Sequence, residues 1–175
     1  MSPRRSAPFN LEFILLGFLS QRAMHGYDLY KTLVQGGGVG LVWRVKQSQL
    51  YALLDKLEAG EMLHSDLVPG EAHPQRKVYH LTERGRLELD QWMRSPVQHG
   101  RKMRQEFLAR LYFAHLAGEE TERQLFRAQA RACRAWLEGI QTRLRALRPE
   151  QTYEKMIFQY RFAQMQAMLN WLEQH

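Results

Sequence analysis

Apolar positions recur at helical spacing along most of the chain, and the interruptions mark where helices stop. Leu11, Leu15, Phe18 and Leu19 define a first helix from Asn10, a candidate N-cap, to about Gln21. Apolar residues surround it on almost every side, so it should be buried. A second helix runs from about Gly26 to Gln35 with Leu29, Leu33 and Tyr30 inward. Gly36-Gly37-Gly38 ends it, because three glycines carry too much backbone freedom for a helix interior. The stretch from Gly36 to Gly40 reads as a flexible connector, since it lacks the G-K-[ST] ending of a phosphate-cradling loop.

Leu50, Leu53, Leu54 and Leu57 sit at i, i+3, i+4 and i+7, which predicts a third helix over about 48–59 with one narrow apolar face. Gly60 follows where a helix commonly ends in a left-handed residue. The opposite face carries Ser48, Ala52, Asp55, Lys56 and Ala59, flanked by Gln49 and Tyr51. Its small residues leave room for a partner to approach. Arg44, Lys46, Gln47, Ser48 and Gln49 come first and Asp55 and Glu58 come late, so only the N-terminal end suits a polyanion.

The periodicity then changes. Met62 to Val68 and Arg76 to Leu81 read as strands, joined by the loop Pro69 to Gln75 in a hairpin, with Arg76 and Lys77 where the second strand leaves the loop. Thr82 caps a fourth helix with Gly85, Leu89, Trp92 and Met93 on one side; Ser95-Pro96 ends it and Gly100 closes a short linker. Three further helices follow, over about 101–117, 120–147 and 150–174. In the second of these, Cys133, Leu137, Ile140, Leu144 and Leu147 are spaced 4-3-4-3, as in a coiled-coil seam. The last, with Tyr153, Ile157, Tyr160, Met165, Met168, Leu169, Trp171 and Leu172, is so broadly apolar that it needs a partner, either the preceding helix or a second subunit. The pattern predicts a mainly α chain with a small β-hairpin wing: a leader over 1–8, an N-terminal domain over 9–95 and a C-terminal helical region over 101–175.

Composition narrows the function. With 45% apolar and 25% charged residues among 175, the chain is an ordinary folded protein and not a disordered tail. The net charge of +7 makes a polyanion a natural partner, but +2 falls on residues 1–98 and +5 on the rest, so the total does not locate a site. The longest apolar run, Phe13 to Leu19, is far short of the roughly 20 residues that span a bilayer. Glu12 and Gln21-Arg22 do not suit a secretory signal. A lone cysteine, Cys133, allows no internal disulfide and points to the cytoplasm. Within its apolar stripe it should act as a small apolar residue, although Arg131 and Arg134 nearby would favour a thiolate. The seven histidines show no H-x-H, H-x-x-x-H or H-E-x-x-H spacing, and no nucleophile–base or carboxylate pair stands out. No metal, cofactor or enzymatic activity is expected. Trp43, Trp92, Trp136 and Trp171 with Met156, Met165 and Met168 read first as core, and second as the lining of a cavity between subunits for a small, flat apolar effector.

Helix, helix, Leu-faced helix, hairpin and helix within about 85 residues is the order of a winged helix-turn-helix. A helix N-terminus offers free amides to phosphates, Gln and Ser can hydrogen-bond base edges, and a basic hairpin can reach a neighbouring groove. The same elements also build protein-binding winged helices that do not contact DNA.

The residues resemble the PadR-like transcriptional regulators. The matching stretches are Leu15-Leu16-Gly17-Phe18-Leu19, His25-Gly26-Tyr27-Asp28-Leu29, Gln49-Leu50-Tyr51 with Leu54, Leu57, Glu58 and Gly60, and Arg76-Lys77-Val78-Tyr79-His80-Leu81-Thr82-Glu83-Arg84-Gly85. Their order and separation carry the resemblance across residues 11–93, and the C-terminal half matches the family's dimerisation region in pattern. The resemblance implies a homodimer that binds a roughly palindromic operator in double-stranded DNA and represses. It places Gln47, Ser48, Gln49 and Tyr51 at the DNA-facing start of the recognition helix, Lys56 on its outer face, and Arg76 and Lys77 on the wing. Dimerisation would fall to Tyr160, Met165, Met168, Leu169, Trp171 and Leu172 of the last helix. Ala52 departs from the family, where a proline often follows the tyrosine; because proline there mainly stiffens a helix start, the departure bears on fine geometry.

Overall fold

A computed structural model describes residues 10–35, 38–41, 45–68 and 76–175, without the side chains of Asn10 and Leu41. The leader over 1–8, Trp43, the loop 69–75 and the capping side chain of Asn10 lie outside the described residues. The chain divides into two compact units, Met1–Met93 with Leu108–Phe113, and Arg94–Phe107 with Ala114–His175.

In the first unit the helices are α1 (Asn10–Gln21), α2 (Gly26–Gln35), α3 (Gln47–Ala59) and α4 (Glu83–Arg94). As its pattern predicts, α1 is buried on every side from Leu11 to Leu19, with Ile14, Leu15 and Leu16 shut off from solvent. Leu29 and Leu33 of α2, Leu50, Leu54 and Leu57 of α3, and Leu89 and Trp92 of α4 complete the core. Trp92 stacks on Phe13 with ring centroids 5.1 Å apart, and Phe18 meets Phe113 edge to face. Gly17 is required here, since a Cβ would lie 2.5 Å from the Phe113 ring.

Three antiparallel strands, β1 (Met24–His25), β2 (Leu63–Val68) and β3 (Arg76–Leu81), form one sheet in the order β1-β3-β2. β1 has no counterpart in the sequence reading. Two residues are too few to show a period of two, and β3 supplies the pairing, Met24 to Tyr79 and His25 to Val78. In the hairpin, Leu63 pairs with Leu81, His64 with His80, Asp66 with Val78 and Val68 with Arg76. Leu63 and Tyr79 therefore share the buried face, while His64, Asp66, Val78, His80 and Arg76 share the other.

Two expectations about turns are corrected. Gly60 has φ −85, and the left-handed residue is Glu61 at φ 56. Met62 N–H donates to Leu57 C=O and Glu61 N–H to Glu58 C=O, both at 3.0 Å, which is the Schellman pattern with Glu61 at C′. The Thr82 hydroxyl donates to the Glu61 carbonyl at 2.7 Å and also accepts from the Gly85 amide at 3.0 Å, so one side chain holds that turn and caps α4. Gly85 cannot carry a side chain, since its Cβ would sit 2.2 Å from the Met62 carbonyl oxygen. Gly38–Leu41 is a 3-10 turn with Val39 buried, and not a flexible connector; Gly36 and Gly37 lie outside the described residues.

The second unit contains α6 (Glu119–Arg145) and α7 (Thr152–Leu172), which pack along one another. Residues Gly100–Arg104 form a 3-10 turn, so the helix expected over 101–117 is α5 (Glu106–Ala117), which gives Leu108–Phe113 to the first unit. Leu125, Phe126, Cys133 and Leu137 of α6 are buried, as are Met165, Leu169 and Leu172 of α7. The buried Gln129 amide oxygen accepts from Val97 N–H at 2.8 Å, which satisfies that polar side chain inside the unit.

Candidate nucleic-acid interface

The apolar stripe of α3 fixes what the helix shows to solvent. With Leu50, Leu54 and Leu57 inward, Gln47, Ser48, Gln49, Tyr51, Ala52 and Asp55 face out. Lys46, at the N-cap, makes no side-chain cap, so the first-turn amides of α3 are not claimed by that residue. Among the described residues, the side chains of Gln47, Ser48 and Gln49 make no hydrogen bond. The start of α3 thus offers amides, two carboxamides and a hydroxyl together, the set that reads base edges and phosphates.

Tyr51 is half a scaffold residue. Its ring lies on the backbone of α2, where a Cβ on Gly26 would come within 2.7 Å of it, and 36% of the residue remains exposed. Glycine at the start of α2 and tyrosine in the first turns of α3 are thus one packing unit, which joins two of the short sequence matches physically.

The two lysines expected at the interface are already paired. Lys56 Nζ lies 2.6 Å from Glu12 Oε1, a carboxylate that α1 buries to 8% exposure. On the opposite flank of α3, Lys77 Nζ of the wing lies 2.9 Å from Glu58 Oε2, and the Ser65 hydroxyl also donates to Glu58. Those contacts, the Ser65 hydrogen bond first and the Lys77 ammonium second, hold the Glu58 carboxyl below its usual range; Glu58 in turn raises the Lys77 ammonium. Lys56 and Lys77 therefore brace α3 from its two sides. Neither pairing is visible in linear sequence, because the partners are 44 and 19 residues apart.

Arg76 differs from its neighbour. Successive strand residues point to opposite faces, so Lys77 turns toward α3 while Arg76 stands on the outer face beside Val68, exposed and without an ion pair among the described residues. Strand periodicity alone would have separated them. His25 sits on β1, with its Nδ1 3.1 Å from the Lys77 carbonyl oxygen of β3.

In the second unit the six expected dimerisation residues separate as well. Met165, Leu169 and Leu172 are buried within the protomer and have no surface left to offer, whereas Tyr160 is 64% and Trp171 38% exposed and Met168 is half-buried. Tyr153 and Met156 are also exposed, and with Tyr160 they fall at i, i+3 and i+7 along α7.

The residues expected to line an effector cavity between subunits lie in different surroundings within the protomer. Trp92 is core of the first unit, Met165 is core of the second, Met156 is exposed and Trp136 half-buried. A hollow of about 440 Å³ in the second unit is instead lined by Phe126, Ala130 and Leu172 with Arg123, Arg127, Arg131 and Arg134. Cys133 is fully buried, and burial pushes its thiol up, the reverse of what a thiolate beside Arg131 and Arg134 would need.

Comparison with known proteins bears on the family. The family model described as "Transcriptional regulator PadR-like family" matches residues 15–91, which span α1 through most of α4. Over this stretch the chain is PadR-like, and it resembles that family. Its members are transcriptional regulators and not enzymes. A second model, "Virulence activator alpha C-term", matches residues 103–175. The Negative transcriptional regulator PadR of Bacillus subtilis (strain 168) is 27% identical over 132 residues, 75% of this chain and 71% of that protein. Among solved structures, Bacillus subtilis PadR in complex with operator DNA is similar over 94% of this chain and 95% of that one, at 23% identity and TM-score 0.49. A PadR-like transcriptional regulator from Bacillus cereus is similar over 98% of this chain and 97% of that one, at 23% identity and TM-score 0.44. Among the described residues no helix is long and apolar enough to cross a membrane.

Proposed function

We propose that this PadR-like regulator is a cytoplasmic homodimer that binds a roughly palindromic operator in double-stranded DNA and represses. The observation that carries the reading is the start of α3, where Gln47, Ser48 and Gln49 stand exposed, without a side-chain hydrogen bond among the described residues, beside an N-terminus without a side-chain cap. Gln49 and Ser48 read base edges, Gln47 and the first-turn amides take phosphate, and the Tyr51 hydroxyl reaches out from a ring seated on Gly26. Arg76 takes a phosphate from the wing. Lys56 and Lys77, their charges answered by Glu12 and Glu58, hold α3 in place at the interface.

The dimer is supported by α7, because large apolar groups aligned on an exposed helix face are stable when a second copy covers them. Tyr153, Met156, Tyr160 and Trp171 supply that surface, with Met168 beside it; Met165, Leu169 and Leu172 support it from within. Repression is suggested by the Bacillus subtilis relative, named a negative regulator.

The test is to select binding sites from random duplex DNA with purified protein and to compare the winner with scrambled DNA at physiological salt. The reading expects a palindromic winner bound at least about a thousandfold tighter, with half-sites about one helical turn apart. No enrichment over scrambled DNA overturns it and leaves a winged helix that serves a protein partner.

A further inference from the structure

The outer face of the wing carries a group of side chains that the DNA-binding reading does not use. His64 of β2 lies directly across from His80 of β3, and Asp66, two residues along β2, projects from the same face. The two imidazoles stack with centroids 4.9 Å apart, and His80 Nε2 is 3.2 Å from Asp66 Oδ2. One ligand atom from each of the three residues lies within 4.8 Å of the other two. We propose that His64, Asp66 and His80 form a binding site for a divalent transition-metal ion of the zinc type, clasping the two long strands of the wing.

The chemistry of the donor set selects the ion. Two imidazole nitrogens and one carboxylate oxygen suit Zn²⁺, Ni²⁺ or Cu²⁺, whereas Mg²⁺ and Ca²⁺ ask for six or more oxygen ligands. Ligand atoms about 2.0 Å from a tetrahedral zinc are roughly 3.3 Å from one another, so the widest of the three separations must close by up to about 1.5 Å. Two of the three side chains are exposed and the third half-buried, so rotation about their own χ angles can supply that closure without moving the strands. The sheet fixes the Cα positions through a paired register that runs from Leu63–Leu81 to Val68–Arg76. Three protein ligands leave at least one position for water, as in open zinc sites. Linear spacing could not show this, since His64 and His80 are brought together by the hairpin and not by a short motif. His25 stands on the same face but belongs to β1, where its ring nitrogen is taken up by the Lys77 carbonyl.

Titration of the full-length protein with Zn²⁺ alone, followed calorimetrically and without DNA, tests the site separately from the proposed function. One saturable Zn²⁺ per chain is expected. His64→Ala and His80→Ala should each weaken it by about 10-fold or more, since changes behind the ligands alone cost 10- to 100-fold elsewhere. Asp66→Asn keeps the shape and should weaken it as well, while His115→Ala, on α5 and not among the three ligands, should leave it unchanged. Mg²⁺ should give no binding. In the wild type, Zn²⁺ should raise the melting temperature, and in His64→Ala it should not. Substoichiometric Cu²⁺ should broaden the ring signals of His64 and His80 before those of any other histidine. Absence of saturable Zn²⁺ binding, or binding that His64→Ala and His80→Ala leave intact, overturns the proposal.

Discussion

Two helices of this protein, α3 and α7, each bury one face in their own unit and leave another bare, yet the bare faces have opposite chemistry. That of α3 is small and polar at its start, with Gln47, Ser48, Gln49 and Ala52, and has charged braces on both flanks. That of α7 is large and apolar, with Tyr153, Met156 and Tyr160 in line. A polar face at a helix N-terminus loses little by waiting in water for a polyanion. An apolar face gains about 25 cal/mol for each Å² that another apolar surface covers. The partner class is thus written on the exposed side, while the buried side explains only why the helix is there.

The strongest way to break this contrast is to put charge on α7. The double change Met156→Glu and Tyr160→Glu removes two anchors, each worth about 1.5–3 kcal/mol on burial, and sets two carboxylates where an apolar surface would close. Dimer dissociation should become at least about a thousandfold more favourable by sedimentation velocity, with the melt of the separated chain little changed because both residues are exposed. A dimer that survives the double change would remove α7 from the interface. Next in size, Gln49→Ala should cost about 1–3 kcal/mol on the selected operator and far less on scrambled DNA, measured by fluorescence anisotropy. Equal losses on both would make Gln49 a backbone contact.

A smaller effect separates the two basic residues of the wing. Arg76→Ala should weaken binding to all sequences alike and reduce the slope of log K against log salt by about 1, because one phosphate contact is lost. Lys77→Ala should change that slope by less, since Glu58 already answers its charge. Identical slopes in the two variants would mean that the pairing opens on DNA.

The elements that repeat over ten or more residues were legible in the sequence: α1, α2, α3 and α4 begin and end close to where periodicity and glycines put them. What escaped depends on contacts between distant segments. β1 exists because β3 offers a free edge, not because Met24 and His25 have a strand pattern. The left-handed residue after α3 is Glu61 and not Gly60, because two backbone hydrogen bonds and the Thr82 hydroxyl fix that turn. At the candidate site the exposed start of α3 was readable from its wheel, whereas the pairing of Lys56 with Glu12 needs the tertiary fold to be seen. On α7, sequence alone could not divide an apolar helix into residues that serve α6 and residues that face away.

The smallest effect tests the wing-side brace itself. Glu58 has its carboxyl pKa lowered from the usual 4.5, so the stability it contributes is present above that value and is lost as pH falls through the lowered one. Lys77 has its pKa raised from 10.5, so its contribution is present below that value and is lost as pH rises through the raised one. Between those limits the tie is constant. The stability difference between wild type and Glu58→Gln, from urea unfolding, should therefore be flat from about pH 6 to 9 and shrink outside that window. For a pair this exposed it should not exceed about 1 kcal/mol. The same substitution frees the Lys77 ammonium, so binding to scrambled DNA should strengthen slightly and its salt slope should steepen by at most about 1, the opposite of Arg76→Ala. A Glu58→Gln protein of unchanged stability that binds its operator less well would make the carboxylate a direct determinant of how α3 meets DNA, and would turn the brace into part of the reading head.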